Sequence, residues 1–150
     1  MNPAITMGHR GPHPFLWGAF GGALGGLAFL PVMILLQPTI WAELVGLLLP
    51  ALARTPAELL GWVIHVCLLA LWGGLFAMTY RERTPRGVVQ AALGWVFVLA
   101  WFTVMAVTLI HQSPIPLLGW VLETIAHGAY GAVLAGTLIY VARHGAGEEA

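Results

Sequence analysis

Four long apolar runs dominate the chain, and short segments rich in proline, arginine and glycine separate them. The runs cover residues 14–36, 57–80, 87–110 and 117–141. Each is longer than the ~20 residues that a helix needs to cross the hydrocarbon core of a bilayer. A shorter apolar segment, residues 39–53, contains Glu43 and Pro50, and we expect it to lie in the membrane interface. The pattern predicts an all-α, polytopic integral membrane protein: four transmembrane helices in one bundle, a single domain, plus a short interfacial helix.

The first apolar run differs from a secretory signal peptide. It exceeds the apolar core of about 7–15 residues that is typical of such signals, and no small-residue cleavage site follows it. The segment that follows is Gln37-Pro38-Thr39. We therefore expect the first run to be retained as a membrane span.

Composition agrees with a membrane protein and excludes several functions. Hydrophobic residues make up 59% of the 150 residues, and charged residues only 8%, against about 25% in soluble domains. The net charge is zero, so we expect no basic surface for nucleic acid. Cys67 is the single cysteine, which excludes a disulfide within the chain and any cysteine-based metal motif.

Arginines indicate how the spans are oriented. The N-terminal segment, the loop 81–86 and the C-terminal segment share one side and carry Arg10, Arg81, Arg83, Arg86 and Arg143. The opposite side carries Arg54 alone. Because cytoplasmic loops are enriched in arginine and lysine, we expect both termini in the cytoplasm and the protein in the inner (plasma) membrane.

Titratable residues occur inside two of the predicted spans. Glu123, His127 and Tyr130 recur at helical spacing and share one face of the fourth span, and His65 lies in the second span. A charged side chain in hydrocarbon costs at least ~2.5–3.5 kcal/mol, so such residues pair with one another or serve a function. We expect one polar pocket below the outer surface if the second and fourth spans touch. Two further residues near the same boundary are candidates for this pocket, His111 and Glu43.

Four interpretations of the polar pocket stay open. The pocket is a structural hydrogen-bond network, or a b-type haem site with His65 and His127 as axial ligands. Alternatively it is a metal site formed by the same two histidines with Glu123, to which His111 is a candidate addition, or a proton or ion path. On the cytoplasmic half the spans carry no ionisable residue before the loop 81–86, so a half-channel fits better than a complete path. No cofactor is predicted, and haem b is the alternative. No catalytic residue is expected, and an enzyme active alone is disfavoured.

The first span carries a face of small residues. Gly18, Gly22 and Gly26 recur every four residues, a spacing that lets helix backbones approach closely in lipid. This helix-packing face serves either another span of the same chain or a partner subunit. The bulky third span, with Trp95, Phe97, Trp101 and Phe102, suits a surface that faces lipid or another subunit.

Three segments resemble small four-span membrane proteins of bacteria and archaea that accompany haem-copper oxidases or nitric oxide reductases. The segments are Gly18–Gly26 with Pro31-Val32-Met33, His65 with Leu71-Trp72-Gly73-Gly74, and His127-Gly128-Ala129-Tyr130-Gly131. The resemblance covers most of the chain. It implies an accessory, structural or assembly subunit of a respiratory electron-transfer complex, with other integral-membrane subunits and the lipid bilayer as partners. The sequence leaves the identity and stoichiometry of the partner open.

Overall fold

The computed structural model describes residues 13–36, 40–80, 84–112 and 116–144. Within these ranges the chain forms five helices and no strand: α1 Pro14–Leu36, α2 Ile40–Leu48, α3 Arg54–Thr79, α4 Pro85–His111 and α5 Leu117–His144. Four of them, α1, α3, α4 and α5, are long and apolar enough to cross a membrane. The all-α, four-span prediction is confirmed.

Local signals explain several helix boundaries. Pro14 and Pro85 are the first residues of α1 and α4, where the missing N–H of proline is not needed. The side chain of Thr84 caps α4 by accepting a hydrogen bond from the backbone N–H of Gly87 at 3.1 Å. Gln112 ends α4 in the left-handed region, with a φ of 50°. The helix α1 continues through Pro31.

Helix α1 lies in the groove between α3 and α5, and its glycines make this close approach possible. A side chain at Gly18 would overlap the carbonyl oxygen of Gly73 in α3, and one at Gly22 would overlap that of Leu69. On the other side of α1, Gly25 lies against the ring and backbone of Tyr130 in α5. The glycine face is therefore occupied by this chain itself and is not free for a partner.

Helix α4 packs on α5 and approaches α3 through large side chains. Trp95 of α4 lies 5.8 Å from Trp72 and 5.9 Å from Phe76, measured between ring centroids. Three other large side chains of α4, Phe97, Trp101 and Phe102, have exposed fractions of 64%, 50% and 66%. The ring of Trp101 also lies 5.7 Å from that of Trp120 in α5, measured between centroids. The exposed parts of these rings are open to lipid or a neighbour.

Helix α2 folds back onto α3 at the end of the bundle where α1 ends and α5 begins. Trp41 packs against Gly61 so closely that a side chain at Gly61 would meet the backbone of Trp41. The ring centroid of Trp41 is 5.8 Å from that of Trp62. Leu47 and Leu48 are exposed. The short helix thus covers the end of the bundle with one face and leaves an apolar end uncovered.

Candidate functional site

All five helices converge on one small cavity near the α2 end of the bundle. Its volume is about 30 Å³. The lining residues are Phe29 and Met33 of α1, Trp41 and Leu44 of α2, His65 of α3, Thr103, Val104 and Val107 of α4, and Gly119 and Glu123 of α5. Because Glu123 is the seventh residue of α5, it lies ~9 Å along the helix from its first residue. The cavity therefore lies close to the end of the bundle at which α5 begins.

The polar groups of this cavity have few partners. His65 is 7% exposed, and its Nε2 is buried with no hydrogen-bond partner among the described residues. The same holds for Nε1 of Trp41, whose ring centroid lies 4.6 Å from that of His65. A buried polar group without a partner is costly, so water or another ligand is expected where space allows.

Glu123 and His127 are linked through the backbone of α5. Nδ1 of His127 donates a hydrogen bond to the backbone carbonyl of Glu123 at 2.9 Å. The same nitrogen lies 3.6 Å from Oε1 of Glu123, which is beyond hydrogen-bond range. Glu123 is 8% exposed and is one of the residues that line the cavity.

The structure brings some of the sequence-predicted residues together and separates others. His65 and Glu123 line the same cavity, while His127 contacts Phe29 and is not among the lining residues. Tyr130 is directed deeper into the bundle, where its hydroxyl donates to the backbone carbonyl of Leu69 at 2.9 Å. Glu43 is exposed on α2. The side chain of His111 lies outside the described residues.

The arrangement does not fit a haem between His65 and His127. The ring of Phe29 packs against both imidazoles, at centroid distances of 4.9 Å from His65 and 5.0 Å from His127. Gly131, one of the small residues that could admit a porphyrin face, packs on Val96 of α4. A porphyrin is also far larger than the ~30 Å³ cavity. In the part of the chain that the structure describes, no group of three His, Cys, Asp or Glu side chains could hold a metal ion.

Sequence reasoning missed the rest of the cavity lining, including Phe29 and Trp41, whose rings contact that of His65. Phe29 is 1% exposed but belongs to an apolar span in which no polar pattern marks it. Trp41 suggested an interface position, whereas its ring covers His65. A tryptophan that covers this site lies at the same depth as a tryptophan in the membrane interface. The preference of tryptophan for interfaces therefore does not distinguish the two roles.

The fold and the cavity define a class: a multi-pass helical membrane protein with a small cavity near one end of the bundle, lined by His65 and Glu123 among mainly apolar side chains. Comparison with known proteins adds nothing to this class, since no family model, curated protein or solved structure matches the chain.

Proposed function

We propose that the protein is an accessory subunit, structural or for assembly, of a larger respiratory electron-transfer complex in the membrane, such as a haem-copper oxidase or nitric oxide reductase. The observation that carries the docking role is the exposure of three large rings on α4, those of Phe97, Trp101 and Phe102. Exposed aromatic side chains suit packing between subunits. The partner class rests on the resemblance described above.

A non-catalytic role is supported by the size of the polar cavity. Ligand pockets usually measure ~300–1,000 Å³, ten times the ~30 Å³ found between the five helices. No organic substrate reaches His65 or Glu123 in this arrangement. We therefore propose that this chain supports a catalytic partner and does not itself turn over a substrate.

The proposed location is the inner (plasma) membrane with both termini in the cytoplasm. Its support is the arginine distribution, because Arg86 and Arg143 lie at one end of the bundle, where α4 begins and α5 ends. In this orientation α2 and the polar cavity face the outer side.

Photo-cross-linking in native membranes tests the docking surface. A photoreactive phenylalanine replaces Phe97 or Phe102 on α4, or Phe20 on α1, which is 53% exposed and serves as the matched control. We expect Phe97 and Phe102 to give one cross-linked membrane protein, with haem absorption in the material that co-purifies in mild detergent. The Phe20 control is expected to cross-link to lipid.

Two results would overturn the proposal. The first is cross-linking of all three positions to lipid alone. The second is a Soret band in the purified single chain that disappears with His65→Ala or His127→Ala, since the chain would then be a haem protein itself.

A further inference from the structure

The cavity between the five helices has the size and the polar groups of a water site. A water molecule needs about 10–15 Å³ of cavity volume and two to four polar partners, so the ~30 Å³ cavity holds about two. Nε1 of Trp41 and Nε2 of His65 are buried without a partner, and the carboxyl group of Glu123 lines the same space. Water is the ligand that satisfies all three.

We propose that this cavity binds one or two water molecules that join His65 and Glu123 into a single proton-binding unit. A water molecule accepts a hydrogen bond from the indole N–H of Trp41. It donates its own hydrogens to Nε2 of His65 and to the carboxylate of Glu123. A proton taken from the aqueous phase is then held by the carboxylate or the imidazole, and the exchange needs no other reactant.

The residues around this unit leave His65 and Glu123 as the groups that bind its proton. Helices α1 and α4 contribute Phe29, Met33, the Thr103 hydroxyl and two valines to the lining, and the Thr103 hydroxyl donates to the carbonyl of Leu99 at 3.0 Å. Helix α2 contributes only Trp41 and Leu44. Among the described residues, His127 is a further titratable group beside Glu123, and its Nδ1 donates a hydrogen bond to the backbone carbonyl of Glu123.

The cavity gives access from one side of the bundle. Its residues lie near helix ends, since Gly119 is the third residue of α5 and Trp41 the second of α2. Below it, Phe29 and Tyr130 fill the core and are 1% and 0% exposed. A proton therefore enters and leaves on the α2 side, and the unit is an exchange site rather than a path across the membrane. This inference stands whether or not the protein has a respiratory partner.

The indole N–H groups provide a direct test in the full chain in detergent or nanodiscs. With ¹⁵N-labelled tryptophan, we expect a cross-peak between water and the indole proton of Trp41. Trp95 is the internal control, because its Nε1 is also buried without a partner but lies outside the cavity lining, and no water cross-peak is expected there.

Two matched variants distinguish a water-filled cavity from a general loosening of the helix packing. Val104→Ile adds a methyl group to a residue that is 1% exposed and lines the cavity, so the Trp41 cross-peak should weaken severalfold. Val98→Ile makes the same change on the outer face of α4 and should leave the cross-peak unchanged. Absence of the cross-peak at Trp41 in the unmodified chain, or equal water contact at Trp95, would overturn the proposal.

Proton binding is tested by following the NMR chemical shift of the Trp41 indole group as the pH changes. We expect a pH-dependent transition whose midpoint Glu123→Gln changes, because the carboxylate and the imidazole share the proton. Glu58→Gln is the control, because Glu58 does not line the cavity, and it should leave the midpoint unchanged. A Trp41 shift that is independent of pH, or a midpoint that Glu123→Gln leaves unchanged, would show that the cavity holds no proton-binding unit.

Discussion

Close approach of α1 and α3 depends on single glycines. Gly22→Ala places a Cβ against the carbonyl oxygen of Leu69, and because backbone cannot yield as a side chain does, the two helices must separate. We expect a loss of about 1–3 kcal/mol in the free energy of unfolding, measured by SDS titration in detergent micelles with circular dichroism.

The control for this prediction is a glycine with open surroundings. Gly94 of α4 has no atom within 4 Å of a Cβ placed on it, so Gly94→Ala should be neutral or stabilising by up to about 1 kcal/mol. Equal destabilisation by the two substitutions would contradict the α1–α3 packing.

The Tyr130 hydroxyl ties α5 to α3 through the backbone carbonyl of Leu69. Leu69 lies inside α3, so its carbonyl keeps the hydrogen bond within the helix when Tyr130→Phe removes the one from the hydroxyl. Hydrogen bonds between membrane helices are worth about 0.6 kcal/mol on average and up to ~1.7, and we expect a loss within this range in the same unfolding assay. Tyr140→Phe, at a position 62% exposed, should change stability by less than about 0.5 kcal/mol.

Residue patterns in the sequence predicted the polar members of the site better than the apolar ones. His65 and Glu123 were identifiable because a titratable group in an apolar span is exceptional. The positions of Phe29 and Trp41 follow only from how α1 and α2 pack, which no local pattern contains. His127 and Tyr130 share a helix face with Glu123 but do not line the cavity, because a shared helix face does not fix which neighbour each side chain reaches.

The helices themselves could be predicted closely from the sequence. Their ends lie within three residues of the expected spans, as for α3, which begins at Arg54 rather than residue 57. Length and apolar character suffice here, since a bilayer requires helices of about 20 residues. The glycine pattern allowed α1 to pack either on another span of this chain or on a partner subunit. In the structure, α1 packs on α3 and α5.

Helix α4 is the element whose attachment depends most on one side chain. Trp95 contacts both Trp72 and Phe76, so Trp95→Leu should loosen α4 from α3 and raise amide hydrogen exchange along α4 by severalfold. Phe97→Leu, on the exposed face of the same helix, should leave the exchange unchanged. Similar exchange in the two variants would show that α4 is held by α5 alone.

The orientation of the whole molecule gives a further prediction. In a Cys67→Ser background, Ala53→Cys, before α3, should react with a membrane-impermeant maleimide in intact cells. His144→Cys, at the end of α5, should react only after the membrane is permeabilised. Both positions are exposed, so the reverse pattern would place the termini outside and contradict the arginine argument.

The central claim for the whole molecule is that polar groups of α3 and α5 meet in one cavity. A double-mutant cycle with His65→Gln and Glu123→Gln tests it most directly, with the free energy of unfolding as the readout. Residues in one network show coupling of at least about 0.5 kcal/mol, and we predict this value or more. The control cycle of Glu123→Gln with His144→Gln, at the opposite end of α5, should be additive. Additivity within about 0.3 kcal/mol in both cycles would contradict the account.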